Sequence, residues 1–155
     1  MKQEELNKIL AEHKLWLETD GEKGKRADLA EANLRGADLA GAKGIPFIPT
    51  VCPDEGSFTA YKKASGKIVV LRIPHDAKRL SATGRKCRCN KAKVLRIENI
   101  DGSNSGLDEV RSSYDPCFIY RIGKTVKVHD FDEDRWNECS KGIHFFINRQ
   151  EAVEY

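Results

Sequence analysis

The sequence predicts an α+β protein in two parts. Residues 1–46 form an N-terminal helix and a single coil of a β-solenoid, and residues 47–155 form a mostly antiparallel β domain with a short C-terminal helix. Three observations support this fold class. Apolar residues follow a helical spacing over 3–18, alanine recurs every five residues over 27–42, and short β-rich runs begin near Phe58. The length suits one compact unit, or one domain with an appended cap.

The first element is an amphipathic helix over residues 3–18. Its apolar side has the spacing i, i+3, i+4, i+7 and i+11. That side consists of Leu6, Ile9, Leu10, His13 and Leu17, with Trp16 beside them. Gly21 is a suitable stop, because glycine favours the left-handed conformation found after helix C-termini. A helix directly before a solenoid usually covers the solenoid's first open edge, so we expect that role here.

Alanine opens each unit of the five-residue repeat, and Leu29, Leu34 and Leu39 stand two places after the first three alanines. On a helix, a step of five residues turns the chain by about 140° net, so these leucines would scatter around the cylinder. On a strand, successive leucines would point to opposite faces. A chain that turns a corner every five residues points each Ala and Leu inward, which indicates a solenoid coil.

These units resemble the pentapeptide-repeat family, whose signature is Ala-(Asp/Asn)-Leu-x-x. The resemblance covers about residues 22–46 and implies a squared, right-handed β-helix. Three clear units and a degenerate fourth, residues 42–46, amount to a single coil. Long members of the family imitate the rod shape of DNA; one coil cannot, so that activity is not expected here. The open end of a single coil favours pairing with another copy, so we expect a homo-oligomer.

Short strands separated by turn signals make up the second part. Strands are predicted at residues 57–63, 66–74, 91–97, 118–122, 125–128 and 143–147. Ser65–Gly66 predicts the turn between the first two strands, and Gly123–Lys124 predicts a hairpin between the fourth and the fifth. Asn148 can cap a short final helix, with Glu151 as the second half of a capping box. The polar stretch 103–114 is predicted to be a loop.

The composition is that of a water-soluble protein, with 39% hydrophobic and 33% charged residues. No apolar run approaches the roughly 20 residues that span a bilayer. The first residues lead into the helix without a signal peptide, so we expect a cytoplasmic protein with no membrane partner, in the host cell cytoplasm if it is viral. The five cysteines are an odd number and are expected to be reduced thiols.

The net charge is +3, but its distribution is uneven. The segment Tyr61–Arg96, here called the basic segment, carries twelve Lys or Arg and one acid, whereas residues 97–155 carry twelve acids and seven bases. The two stretches can neutralise each other across the fold, or the basic segment can line an anion site. Arginine and lysine bind phosphate, and an aromatic ring can stack on a base. The candidate ligand-binding residues are Arg72, His75, Arg85, Lys86, Arg88, Lys91 and Trp136.

A second resemblance lies in the C-terminal part. The run from Cys139 to His144 has the order Cys-x-x-Gly-Ile-His, and the dipeptide Glu151–Ala152 follows. It is similar to a widespread domain of phage and bacterial proteins whose function is uncharacterised, and which often accompanies pentapeptide repeats. The resemblance covers roughly residues 50–155. It implies a viral or mobile-element origin, and a counter-defence role would suit such a protein.

Cys139 and His144 are the weak candidates for catalysis, as a nucleophile and its base. The alternative, which we favour, is that the His144 ring holds the turn at 140–142. Cys87 and Cys89 face one side of a strand and are weak candidates for a zinc site, although zinc ligands are more often spaced Cys-x₂₋₄-Cys. As small buried residues they need no metal.

The carboxylates between Asp130 and Asp134 could serve hydrolysis or hold Mg²⁺ or Ca²⁺, but a solvated loop is the favoured interpretation, and no cofactor is predicted.

We expect a non-enzymatic, phage-type binding protein that holds a nucleotide-like anionic ligand or an acidic host partner through the basic segment. One alternative is a small enzyme that uses Cys139 and His144 or the acidic cluster. The other is a nucleic-acid-binding protein, whose affinity would fall steeply with salt.

Overall fold

The computed structural model describes residues 3–27 and 49–155. The five-residue repeat falls almost entirely outside the described residues, so the solenoid coil stays a prediction. The chain divides into two compact units, Met1–Leu34 and Arg35–Tyr155.

Helix α1, Gln3–Glu18, belongs to the first unit and confirms the helix that the apolar spacing predicts. The chain leaves it through Gly21, whose φ of +90° suits a residue without a Cβ atom. The ring of Trp16 stacks on that of His13, with the centroids 5.8 Å apart. The His13 Nδ1 atom accepts a hydrogen bond of 3.2 Å from the backbone N–H of Ala27. His13 therefore holds the returning chain against the helix.

The second unit consists of short strands, paired antiparallel throughout its described part, and one helix. The elements are β1 (Phe58–Ala64), β2 (Lys67–Ile73), β3 (Arg79–Ser81), β4 (Cys87–Cys89), β5 (Lys91–Glu98), β6 (Glu109–Arg111), β7 (Ile119–Arg121), β8 (Thr125–Lys127), β9 (Ile143–Phe145) and α2 (Arg149–Glu154). The strands form a large sheet in the order β1-β2-β5-β8, a small sheet in the order β3-β4-β9, and the pair β6-β7. The mostly antiparallel β domain that the sequence predicts is confirmed.

The hairpin of β1 and β2 follows directly from the sequence. Ala64 lies opposite Lys67, so the loop contains two residues. These residues, Ser65 and Gly66, have φ angles of +47° and +70°. Positive φ at both loop positions is typical of a type I′ turn, whose twist matches that of the strands. The predicted turn is therefore confirmed.

The predicted hairpin around Gly123 is wrong. Strand β7 pairs with β6, which lies inside the stretch 103–114 predicted as a loop, and β8 pairs with β5 in the large sheet. Gly123 has a φ of +78° and turns the chain between the two sheets. There the backbone of Val94 in β5 hydrogen-bonds to Gly123 and Lys124, both at 2.9 Å. The chain crosses over because its backbone partners lie in β5 rather than in β7.

The main core lies where the sheets meet. Its buried members include Val69, Leu71, Cys87, Val94 and Phe145. A smaller cluster of Ile68, Phe146 and Ala152 packs α2 against the opposite face of the large sheet. Paired backbone hydrogen bonds of 2.8 Å between Tyr61 and Phe146 also join β1 to the chain just after β9. The large sheet is thus covered on one whole face and at one end of the other.

The end of the chain forms helix α2, as predicted. The Asn148 side chain caps it by accepting a hydrogen bond of 2.8 Å from the backbone N–H of Gln150. Glu151 does not complete a capping box, because its Oε1 atom accepts a hydrogen bond of 2.6 Å from Arg85 Nε. Neither of the described helices, α1 and α2, has the length and hydrophobicity of a membrane-spanning segment.

Candidate functional site

Arg88 lies at the centre of β4 and is almost completely buried, with 1% of its surface exposed. Its guanidinium donates hydrogen bonds to the backbone carbonyls of Asp132 (3.1 Å), Lys141 (2.9 Å) and Asp134 (2.8 Å). It also lies 5.5 Å from the centre of the Phe131 ring. Burial lowers the pKa of Arg88 below its usual range. This predicted ligand-binding residue therefore holds the loop 130–142 in place.

Several other predicted cations also contact protein groups. Arg85 pairs with the Glu151 carboxylate at 2.6 Å, and Lys91 pairs with Asp76 at 2.6 Å. Lys86 donates to the Sγ atom of Cys139 at 3.3 Å.

Three candidates remain, His75, Trp136 and Arg72, and Arg72 lies on the large sheet. His75 is exposed, and its carbonyl accepts a hydrogen bond of 2.5 Å from Arg79. The Trp136 ring lies 4.5 Å below the guanidinium of Arg135, so its near face is occupied by a neighbouring side chain.

His144 donates a hydrogen bond of 2.9 Å from Nε2 to the backbone carbonyl of Ser140. Burial, with smaller effects from Lys62, Lys86 and Arg88, lowers the pKa of His144 to about 4. The imidazole is therefore neutral at pH 7. This is the contact that the structural interpretation predicts for the turn at 140–142. Within the described chain no hydrogen bond joins His144 to Cys139.

The other candidate chemistry also resolves into protein contacts. Cys87 and Cys89 are buried in the main core, and in the described ranges no group of three or more His, Cys, Asp or Glu is placed to hold a metal ion. In the acidic cluster, Asp130 pairs with Lys141, and Glu133 pairs with Lys78. Hydrogen bonds from Ser140, Asp134 and Asn137 lower the pKa of Asp132 to about 2. These contacts fit the interpretation of the cluster as a solvated loop.

A row of exposed polar side chains crosses all four strands of the large sheet. Thr59 of β1 lies opposite Arg72 of β2, Arg72 lies opposite Lys93 of β5, and Lys93 lies opposite Thr125 of β8. Residues directly opposite each other in an antiparallel sheet point to the same face. The apolar neighbours of these residues along each strand belong to the main core or pack against it, so the row points away from it.

The next row adds a second pair of cations on the same face, since Lys91 lies opposite Lys127. We call the four side chains Arg72, Lys91, Lys93 and Lys127 the basic face. Lys91 pairs with Asp76, whereas no described residue forms a hydrogen bond or ion pair with the charged groups of the other three members. A shallow concavity, open to solvent, borders Lys91 and Lys127 and includes His129.

Two members of the basic face, Arg72 and Lys91, are among the ligand-binding residues predicted from the sequence, whereas Lys93 and Lys127 are not. One signal was available. In Lys91-Ala92-Lys93-Val94 lysine alternates with apolar residues, and on a strand that alternation places both lysines on one face. The partner of this strand could not be identified in the same way, because β8 is three residues long and its place depends on the crossover at Gly123.

Comparison with known proteins places this β domain among uncharacterised relatives. Residues 48–152 match the model of a family described as a family of unknown function, DUF5758. An uncharacterised protein of Acanthamoeba polyphaga mimivirus is 33% identical over 94 residues, which cover 58% of this chain and 56% of that protein. The chain thus spans about half the length of that curated relative. No solved structure matches the chain.

Proposed function

The chain belongs to this family of unknown function, and we propose that it is a non-enzymatic binding protein that holds the phosphates of a nucleic acid on its basic face. The observation that carries the proposal is the placement of like charges directly opposite each other: Arg72 lies against Lys93, and Lys127 lies against Lys91, which also pairs with Asp76. Like charges directly opposite each other destabilise a sheet. A bound polyanion would remove that repulsion.

The shape of the surface favours an extended ligand over a small one. Pockets for small molecules are concave and enclose most of the ligand, whereas the basic face is the open side of a four-stranded sheet. Neighbouring strands lie about 4.8 Å apart, so the row from Thr59 to Thr125 spans about 14 Å. A phosphodiester chain can lie along such a row and contact both of its cations, Arg72 and Lys93, at once. The nucleic-acid alternative of the sequence analysis is therefore better supported than the nucleotide-like ligand.

The composition of the face indicates which part of the nucleic acid is contacted. The row itself contains Thr59, Arg72, Lys93 and Thr125 and has no aromatic ring for stacking on bases. Lysine, arginine and threonine are typical donors to phosphate oxygens, which carry no sequence information. We therefore expect binding that depends little on sequence and strongly on salt.

The candidate catalytic residues favour binding over catalysis. His144 contacts the Ser140 carbonyl and Cys139 contacts Lys86, so each is engaged by the protein itself. The viral relative agrees with the origin that the sequence analysis expects. The counter-defence role, the pentapeptide-repeat coil, the homo-oligomer and the cytoplasmic location stay predictions.

The test is fluorescence anisotropy with a labelled single-stranded oligonucleotide, titrated at several salt concentrations. In the double variant Arg72→Glu/Lys93→Glu we expect at least about tenfold weaker binding and a salt slope smaller by about 1 to 2. The matched control is Arg121→Glu/Lys141→Glu, which changes the net charge equally at exposed cations outside the basic face that already have ion-pair partners.

Three results would overturn the proposal. The first is that the wild-type protein does not bind the oligonucleotide. The second is that both double variants lose affinity equally, which would indicate that binding depends on net charge rather than on a site. The third is thermal stabilisation by a mononucleotide or by an acidic peptide with no binding of the oligonucleotide, which would assign the face to that ligand.

A further inference from the structure

Two thiols that the proposed function does not use meet in the main core. Cys52, in the irregular chain before β1, is 3% exposed, and Cys87, the first residue of β4, is 0% exposed. Both belong to the same buried cluster. The exposed thiols of the described chain, Cys117 and Cys139, lie outside that cluster.

A hydrogen bond to Ser81 explains why the two thiols lie together. The backbone N–H of Val51 donates to the Ser81 hydroxyl at 2.9 Å. Ser81 lies directly opposite Cys87 in the pairing of β3 with β4, and opposite residues have Cα atoms about 4.5–5.5 Å apart. The residue after Val51 is Cys52, so the anchored chain brings its thiol next to Cys87.

The two thiols influence each other's ionisation in opposite directions. Contact with Cys87, assisted by the Arg79 guanidinium, lowers the pKa of Cys52 despite burial. Contact with Cys52, together with burial, raises the pKa of Cys87 far above its usual range. Cys52 is therefore the member that ionises first. Because the thiolate is the reactive form of cysteine, Cys52 would attack an oxidant first and Cys87 would follow.

We propose that Cys52 and Cys87 form a reversible disulfide when the protein meets hydrogen peroxide, and that this bond fastens the chain before β1 to β4. In the first step the Cys52 sulfur attacks peroxide, an S–O bond forms, the O–O bond breaks and water leaves. In the second step the Cys87 sulfur attacks the resulting sulfenic acid, the S–S bond forms, the S–O bond breaks and a second water leaves. Two thiols are oxidised and one peroxide is reduced to two waters.

A third core thiol, Cys89, competes least well for the same bond. It lies two residues from Cys87 on β4, and its Sγ atom contacts the carbonyl of Ile143 at 3.8 Å. Burial raises its pKa to about 12. The irregular chain around Cys52 carries no strand hydrogen bonds, so local opening there admits peroxide more readily than opening of β4.

The test is a peptide map of the full chain under non-reducing conditions after exposure to peroxide. In a Cys117→Ser/Cys139→Ser background, which removes exposed thiols, we expect one cross-linked peptide pair containing Cys52 and Cys87, cleaved by dithiothreitol. The oxidised protein should also melt at a higher temperature, because the bond closes a long loop in the unfolded chain.

Variants separate the pair from its neighbour. Cys52→Ala should abolish the cross-link, and Cys89→Ala should leave it unchanged. If one of these core variants does not fold, the peptide map of the Cys117→Ser/Cys139→Ser protein still identifies which two cysteines are joined. The proposal is overturned if the cross-link joins Cys52 to Cys89, or if Cys52 proceeds to sulfinic acid with Cys87 still reduced. It is also overturned if both thiols stay reduced while the unfolded chain is oxidised under the same conditions. None of these outcomes bears on nucleic-acid binding, so the two proposals fail independently.

Discussion

Replacing Arg88 by alanine should destabilise the protein more than any other single loss of charge in the basic segment. The guanidinium is 1% exposed and satisfies three backbone carbonyls of the loop 130–142. Each hydrogen bond from a charged donor contributes about 1.5–3 kcal/mol. Their sum overstates the effect, because burying the cation has its own cost and the three bonds are not additive. We therefore expect Arg88→Ala to lower the free energy of unfolding by about 3–5 kcal/mol.

Urea unfolding at pH 7 measures this loss. With a slope of about 2 kcal/mol per molar urea, the midpoint should fall by about 2 M. Arg88→Lys should fall between the wild type and Arg88→Ala, because one ammonium cannot reach carbonyls in the fork geometry of a guanidinium. Arg85→Ala is the matched control. Its ion pair with Glu151 joins side chains that are 48% and 27% exposed, so its loss should cost under about 1 kcal/mol.

The role assigned to Arg88 is refuted if Arg88→Ala lowers the free energy of unfolding no more than Arg85→Ala does. It is also refuted if amide hydrogen exchange in the loop 130–142 is as slow in Arg88→Ala as in the wild type. The first result would show that the buried contacts contribute no more than an exposed pair. The second would show that Arg88 does not hold the loop.

Two further predictions concern pH. The pKa of His144 is about 4 in the folded protein against 6.5 for an ordinary histidine. Between these pH values the unfolded chain binds a proton that the folded protein does not, so the urea midpoint should fall as pH drops from 6.5 to 4. His144→Gln should flatten that part of the profile, and a profile unchanged by the substitution would contradict the lowered pKa. Burial lowers the pKa of Lys62 to about 8 from 10.5. Lys62→Met should therefore stabilise the protein at pH 7, and this gain in the free energy of unfolding should shrink between pH 8 and 10.5. The same urea titrations measure it, and a gain that stays constant over that range would rule out the lowered pKa.

Local interactions explain what could be predicted from the sequence. The apolar spacing of α1, the Ser65–Gly66 turn and the Asn148 cap each depend on residues within a few positions of one another. Backbone preferences and helix or strand periodicity act over that range, so the residues themselves are sufficient evidence. The family resemblance of residues 50–155 was likewise visible in one short run of the chain and agrees with the matched family.

The contacts that could not be predicted from the sequence join residues that lie far apart along the chain. In the sequence, Arg88 looks like any surface arginine. It is buried only because the loop 130–142 folds over β4 and presents three carbonyls to its guanidinium. Glu151 has the spacing of a capping residue, and only the approach of Arg85 gives it another partner.

The basic face shows the same division. The sequence alone shows that β5 carries Lys91 and Lys93 at alternate positions and that β2 carries Arg72 near its end. Only the register between strands, with its irregularity at Val70 and Leu71, decided that Arg72 lies opposite Lys93. The physical reason is that a shift of one residue in pairing turns every side chain to the other face, and the packing of the whole core, rather than any local preference, selects the register.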